Sequence, residues 1–472
     1  MVRTRFAPSP TGFLHVGGLR TALYAYLYAK KAGGKFILRI EDTDLERTVP
    51  GAVELIYRTL HETGLVYDEG PDVGGEYGPY VQTERKQIYL DYAQKLIESG
   101  DAYYCFCTKE RLEELHTAGA TKYDKHCLRH VTRAEAEKRI AAGEKYVIRQ
   151  NIPEKGVSSY TDLVFGEIAV DYNDLEDNIL IKSDGYPTYN FANVVDDHLM
   201  GITHVIRGTE YLSSTPKYNL LYDALGWERP QYIHLQPIMR DAHQKLSKRH
   251  GDANYEDFIA KGFLKDAIVN YIALLGWSPK DNREKMTLKE MEELFSLDGV
   301  SKSASIFDET KMRWLNSLYV KELTEEQFHA YALPFYAPYE YLKGLDLAYL
   351  STLLHGRTEV FTDVGKLTAF IPAFEDFQPA LFVNAKWKTD EALAKKMLPD
   401  LIEVAESEWE NLHEALPAYA ERAGYKKGQV LWIFRIALTS AASTPGGATE
   451  MATLFGKAES LRRLRYALGK IA

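Results

Sequence analysis

The sequence predicts an α/β fold: a doubly wound parallel sheet, broken by one α+β insertion and followed by an all-α C-terminal region. Three observations predict it. Strand, loop, helix and strand follow one another within the first 40 residues, which makes a βαβ unit. Residues 101–185 change character, with all three cysteines and alternating short strand candidates. From about residue 325 the pattern is helical to the end.

Each element has a local reason. Val2–Ala7 is a short strand, and the loop PSPTGFLHVGG (8–18) follows it. Leu19–Lys31 is rich in Ala, Leu and Tyr, and Gly33-Gly34 stops that helix. Phe36–Ile40 is a largely apolar strand, of the kind buried on both faces of a parallel sheet. A helix near Thr83–Ser99 carries Ile88, Tyr92 and Leu96 on one stripe, with Gly100 behind it. In the insertion, Thr132-x-x-Glu135 reads as a capping box and Tyr146–Gln150 as a strand. Strands return at Asn178–Lys182, His204–Arg207 and Tyr232–Gln236. After Lys245 the chain turns mostly helical, with capping boxes at Thr287-x-x-Glu290 and Thr324-x-x-Gln327 and turns at Ala423-Gly424 and 444–447.

Composition narrows the class. At about 150 residues per domain, 472 residues make about three domains. Apolar residues at 45% and charged residues at 26% exclude a wholly disordered chain. Three cysteines exclude a disulfide scaffold and fit a reducing compartment. No apolar run nears the roughly 18 residues that span a bilayer, and MVRTRFAPSPTG lacks a signal-peptide pattern. With 57 Lys+Arg against 67 Asp+Glu the net charge is −10, which argues against coating nucleic acid but leaves room for a local basic groove.

In open α/β sheets, ligands sit beyond the carboxyl ends of the strands. The His15 loop, Glu41-Asp42, and Arg207, Gly208 and Glu210 all fall there. Gly17 and Gly18 let backbone approach a ligand, and the helix that follows favours an anion at its start. Alone, a His-x-Gly-Gly turn is more often an ordinary surface feature. Lys245-Leu246-Ser247-Lys248-Arg249 suits a loop that clamps pyrophosphate charge, although alone it also reads as a solvated basic loop. The two segments must meet at one sheet edge for either reading to stand.

Together, SPTGFLHVGGLRTAL, FILRIEDTD, DGYPTYNFANVVDDHLMGITHVIRGTEYL and KLSKR closely resemble the glutamyl branch of the class I aminoacyl-tRNA synthetases, bacterial type, with their HIGH and KMSKS signatures. The match keeps order and spacing over most of the first 320 residues. Gly18 stands where the general signature has a second His, which implies a reduced role for that position. The resemblance implies a Rossmann-like catalytic domain at 1–100 and 186–240, an inserted acceptor-binding domain at 101–185, a KMSKS-loop and helical stem-contact domain at 241–324, and an all-helical anticodon-binding region at 325–472.

It also implies the chemistry. Glutamate's α-carboxylate attacks the α-phosphorus of ATP, giving glutamyl-adenylate and pyrophosphate, and the acyl group passes to the 2′-hydroxyl of the terminal adenosine of tRNA(Glu). No covalent nucleophile is needed, since positioning and charge stabilisation supply the rate. His15, Lys245 and Lys248 take the catalytic role, Gly17, Gly18, Glu210, Ser247 and Lys248 bind nucleotide, and Mg²⁺ accompanies ATP. A side-chain carboxylate asks for a planar guanidinium, and Arg5 and Arg207 are placed for it. By resemblance Arg5, Ala7, Ser9, Tyr189, Asn193 and Arg207 line the glutamate site, and Glu41 receives the ammonium. Arg5 or Arg207 alone reads equally well as a structural ion pair, and Tyr189 and Asn193 as packing at a helix start.

Cys105, Cys107 and Cys127 offer three soft donors, and Tyr123, His126 and His130 a fourth. The spacing is similar to the structural zinc site of bacterial family members, with Tyr123 as fourth ligand and His130 as the alternative. Three unligated thiols remain the other reading. For tRNA, Arg357 aligns with a family position that favours tRNA(Glu), and Arg435 beside Trp432 offers a stack for splayed bases, although Trp432 also reads as helix core. Arg462-Arg463-Leu464-Arg465 reads by itself as a solvated face. The expectation is a cytoplasmic monomer with no membrane contact. The alternatives are a non-discriminating enzyme that also glutamylates tRNA(Gln), a small-molecule ligase with a similar His loop, which needs no long helical arm, and a silent RNA-binding paralog.

Overall fold

The first βαβ unit forms as expected, with β1 (Arg3–Phe6), α1 (Val16–Lys31) and β2 (Lys35–Leu38) in sequence, and β1 pairs parallel with β2 from Arg3↔Lys35 to Phe6↔Leu38. The structure is a computed structural model and describes residues 1–44, 46–246 and 254–471. Helix α1 begins three residues earlier than its composition suggests, because His15 caps it through its side chain. It stops as expected: Gly33, at φ +62°, donates to the Lys30 carbonyl and Gly34 to that of Ala29, so the last carbonyls are satisfied. Leu19, Leu23 and Leu27 are fully buried, each stabilising by about 1.5–3 kcal/mol. The buried Thr4 hydroxyl donates to the Ala25 carbonyl at 2.8 Å and pins α1 to β1.

Helix α2 (Ala52–Glu62) is not singled out by the sequence pattern; its N-cap, Gly51, contributes no side-chain bond. The next expected helix is a 3-10 turn at Gln82–Arg85 running into α3 (Lys86–Ser99), which Gly100 ends at φ +84°.

The insertion is more helical than its sequence suggests. Strand β3 (Ala102–Cys105) is followed by α4 (Lys109–Thr117), α5 (His126–His130) and α6 (Arg133–Ala141) before β4 (Val147–Gln150) pairs back antiparallel. Thr132 caps α6 by accepting from the Glu135 N–H, half of the expected box. The hairpin of β5 (Val157–Asp162) and β6 (Gly166–Asp171) joins neither β3 nor β4, and β7 (Ile179–Ile181) completes the β3–β4 sheet.

After α7 (Tyr189–Leu199), β8 (His204–Gly208) and β9 (Gln231–Leu235) run parallel, with α8 (Thr215–Ala224) between them. Thr203 donates from its backbone to the Arg3 carbonyl at 3.0 Å, holding β1 beside the start of β8. At the other edge Asp162 of β5 pairs with Tyr232 of β9. The hairpin inside the insertion therefore extends the β8–β9 sheet, in the order β6-β5-β9-β8, while β1 and β2 pair with each other; this long-range pairing is encoded by no local pattern. The capping boxes at Thr287 and Thr324 are both complete.

The chain forms two compact units, Met1–Phe258 with Lys265–Glu309, and Ile259–Leu264 with Thr310–Ala472. The second unit is built of helices, including Glu325–Tyr336, Glu391–Ser407, Lys427–Thr439 and Ala448–Ile471, around Leu398, Leu416, Phe434 and Leu464. No helix among the described residues is long and apolar enough to cross a membrane.

Candidate active site

The His15 loop and the described start of the lysine segment, Lys245-Leu246, lie at one cleft. His15, Gly17, Gly18, Gly208, Glu210 and Lys245 line one cleft of about 300 Å³ at the carboxyl end of the sheet. The His15 ring folds back so that Nδ1 accepts the Gly17 N–H at 3.0 Å, which leaves Nε2 as the nitrogen that carries the hydrogen. A side chain at 17 would crowd that ring, with a Cβ 3.3 Å from Nδ1. The start of a 16-residue helix therefore lines the cleft, and its dipole favours an anion there. Arg20 braces the other wall by donating to the carbonyls of Leu275 and Gln236. Gly208 leaves room for the exposed Glu210 carboxylate to fold back over it. Lys245 is held by a bridge to Met239, and the Leu246 N–H donates to the Ile238 carbonyl. Ser247 and Lys248 lie outside the described residues.

Beside the cleft lies a buried charge cluster. Arg5 Nε donates to Asp197 Oδ1 at 3.0 Å, and Arg39 Nη1 donates to the same oxygen at 2.7 Å. Arg39 Nη2 reaches Glu41 Oε1 at 2.9 Å. Glu41 is 5% exposed, and burial pushes its carboxyl up to about 7 against the opposing pull of Arg39 and Arg5. The Glu41 N–H donates to the Pro8 carbonyl, which sets the half-buried Ala7 and the exposed Ser9 along the same wall. Tyr189 opens α7, its ring 5.2 Å from that of Tyr211, and the Asn193 amide donates back to the Tyr189 carbonyl. Arg207 sits among the rings of Tyr211, Tyr218 and Tyr232 at 4.9–5.3 Å. Its Nε and Nη2 are engaged by His234 and Thr215, and its Nη1 has no hydrogen-bond partner among the described residues. Tyr189 feels the charges of Glu41 and Arg207, and Glu41 those of Arg39, Arg5 and Asp197, so these side chains share one buried, charged neighbourhood beside the cleft.

Asp196, Asp197 and Arg39 are missing from the sequence-based set. Asp196 takes Arg85 at 2.7 Å and the Tyr89 hydroxyl, and Asp197 joins Arg5 to Arg39. Two adjacent acids inside the apolar stretch FANVVDDHL were the available signal.

The cysteines converge as their spacing suggests. The three Sγ atoms lie within 4.8 Å of one another, and the Tyr123 hydroxyl is 3.4 Å from Cys105 and 3.3 Å from Cys107. Hydrogen bonds from Cys127 and Tyr123 hold the Cys105 thiol well below its usual range. Lys125, at φ +55°, ties the loop down through Asp177 at 2.9 Å and the Ile152 carbonyl. His130 is outside the cluster: it is exposed, and its ring faces His126 at 4.7 Å. The donor set fits a tetrahedral ion with Tyr123 as the oxygen ligand.

In the second unit, Arg435 lies 5.4 Å from the Trp432 ring, and burial together with the charge of Arg357 lowers its pKa. Trp432 is half-buried and donates to the Leu381 carbonyl, which makes it a packing residue with one open face. The terminal arginines are spoken for. Arg462 and Arg463 pair with Glu459, Arg465 pairs with Glu406, and Arg463 is buried.

Residues 1–314 match the model of the class I tRNA synthetases (E and Q), catalytic domain, and residues 327–468 that of an anticodon binding domain. The chain is 54% identical to a glutamate–tRNA ligase of Clostridium botulinum over 98% of each chain. It is 51% identical to that of Clostridium acetobutylicum, over all of this chain and 99% of the other. The crystal structure of a glutamate tRNA ligase from Elizabethkingia meningosepticum, in complex with its amino acid, is similar over the whole of both chains at a TM-score of 0.89 and 34% identity.

Proposed function

The chain belongs to the glutamate–tRNA ligase family of class I aminoacyl-tRNA synthetases, and from that membership we propose how its own residues carry the reaction. It activates L-glutamate with ATP and transfers it to the 3′-terminal adenosine of tRNA(Glu), acting as a monomer in the cytoplasm. The observation that carries this reading is a buried cluster in which Arg5 and Arg207 lie near Glu41, beside a cleft at the start of α1; such a set suits a dicarboxylic amino acid next to a triphosphate. Arg207, with Arg5, holds the side-chain carboxylate. Glu41 takes the ammonium, and Tyr189, Asn193, Ser9 and Ala7 shape the wall between. The start of α1 and His15 draw negative charge off the α- and β-phosphates, with Lys245 on the same cleft and Lys248, by resemblance, sharing that role. Mg²⁺ bound to ATP would supply charge screening to its phosphate oxygens. Charging purified tRNA(Glu) and tRNA(Gln) with labelled glutamate tests the whole. Charging of tRNA(Glu) alone is expected, charging of both marks a non-discriminating enzyme, and charging of neither overturns the reading. Arg357 and Arg435, close enough to repel each other, supply the positive patch for the anticodon.

Glu41 gives a pH signature. With its pKa near 7, its protonated form grows as pH falls, and a neutral carboxyl does not counter an ammonium. The glutamate KM therefore rises below pH 7, by up to about tenfold per pH unit, and falls to a plateau above it. Glu41→Gln raises the KM at every pH and flattens the slope. An unchanged slope in that variant excludes Glu41 as its source.

Cys105, Cys107 and Cys127, with Tyr123 as fourth ligand, would hold a structural zinc, which would tie the end of β3 to α5. Purified protein is expected to carry about one zinc per chain, and Cys107→Ser close to none. Zinc near zero in the unaltered protein removes the assignment.

A further inference from the structure

Behind Arg207 lies a polar chain that none of the assigned roles uses. Asp162 ends β5, in the hairpin that crosses from the insertion to the β8–β9 sheet, and is 1% exposed. Its Oδ1 accepts the N–H groups of Val164 and Phe165 at 2.9 Å. Its Oδ2 accepts the His234 N–H at 3.1 Å and faces His234 Nδ1 at 2.7 Å. Both carboxylate oxygens already accept backbone N–H groups, so the ring nitrogen 2.7 Å from Oδ2 is placed to donate to it. That fixes the His234 ring with its hydrogen on Nδ1 and its lone pair on Nε2. Nε2 then accepts Arg207 Nε–H at 3.2 Å. Burial lowers the His234 pKa, against the pull of Asp162, and so keeps that lone pair free of a proton. The Thr215 hydroxyl donates to the Tyr211 carbonyl and accepts Arg207 Nη2 at 2.6 Å.

Both sides of the guanidinium edge are thereby held, and the Nη1 corner is what remains for a ligand. We propose that Asp162 and His234 are positioning residues that set the orientation of Arg207 and, through it, selectivity for the glutamate side-chain carboxylate. This rests on the reading that Arg207 binds that carboxylate. A neutral imidazole suits the task, because it takes one guanidinium hydrogen without spending the positive charge, whereas a carboxylate in its place would neutralise the charge the substrate needs.

The test is steady-state aminoacylation of tRNA(Glu) with glutamate and ATP varied separately. His234→Asn keeps a donor toward Asp162 but reaches short of Arg207. His234→Gln puts an acceptor oxygen near the place of Nε2. We expect His234→Asn to raise the glutamate KM about thirtyfold, with the ATP KM within about twofold, and His234→Gln to recover most of the loss. In an Arg207→Ala background His234→Asn should add less than about twofold, because the group it positions is gone. Asp162→Asn, of the same volume, should reproduce the glutamate-selective rise. Equal increases in both KM values, no rescue by Gln, or multiplying losses in the double variant overturn the positioning role. If Arg207→Ala leaves the glutamate KM unchanged, the reading of Arg207 fails and takes this one with it. If Arg207→Ala raises it and His234→Asn does not, only the positioning role falls. Should the variants not fold, the imidazole ¹⁵N shifts of the unaltered protein decide: hydrogen on Nδ1 is expected, and hydrogen on Nε2 overturns the proposal.

Discussion

Arg207→Ala lowers kcat/KM for glutamate about a thousandfold, a loss of about 4 kcal/mol, and leaves the KM for ATP nearly unchanged. The size follows from burial. Arg207 is 5% exposed and ringed by three tyrosines, so water does not replace the lost guanidinium, and the incoming carboxylate is left desolvated without its partner. Selectivity follows from position. The cleft proposed for ATP is lined by the His15 turn, Gly208, Glu210 and Lys245, and Arg207 is not among its walls. Arg207→Lys rescues little, because an ammonium cannot hold His234, Thr215 and a carboxylate in one plane. Aminoacylation with glutamate and ATP varied in turn, in the presence of tRNA(Glu), measures this. Equal loss toward both substrates makes Arg207 a structural residue instead.

His15→Ala slows adenylate formation about three-hundredfold, some 3 kcal/mol of transition-state stabilisation, with little change in the KM for glutamate. In the first step the α-phosphorus gains a fifth oxygen and the leaving pyrophosphate gains charge. The imidazole faces the cleft with Nδ1 already satisfied by Gly17, so its orientation is set before ATP arrives. Such a preset donor acts mainly on charge that develops during the reaction, which is why kcat falls more than KM rises. ATP–pyrophosphate exchange in the presence of tRNA(Glu) reads this step directly. Lys245→Ala should fall in the same direction by a smaller factor, because Lys245 is exposed and water screens it. A His15 variant that exchanges at the normal rate would remove the catalytic role and leave His15 as a helix cap, at a cost of about 1 kcal/mol in stability.

Much of the site was legible from local chemistry. The loop HVGG opens a helix as its histidine and glycines suggest, and Glu41 follows its strand at the expected edge. The Cys-x-Cys spacing and Tyr123 close into one cluster. His130, the alternative fourth ligand, is exposed at the end of α5 with its ring beside that of His126. The stretch Arg462-Arg463-Leu464-Arg465 reads in sequence as a solvated face, yet Arg463 is buried and acids one turn away or on a neighbouring helix engage all three arginines.

What the sequence alone determined is whatever one stretch of chain decides: the βαβ opening, the Gly33-Gly34 stop, the capping boxes and the chemical kinds of residue on offer at the sheet edge. Only the tertiary structure decided which of those residues share a charge. Asp197 reaches Arg5 across 192 positions and Arg39 across 158, and Asp162 reaches His234 across 72. The physical reason is that a buried ion must find its partner wherever the packed core places one, because burying it alone costs several kcal/mol. Separation along the chain has no bearing on that search.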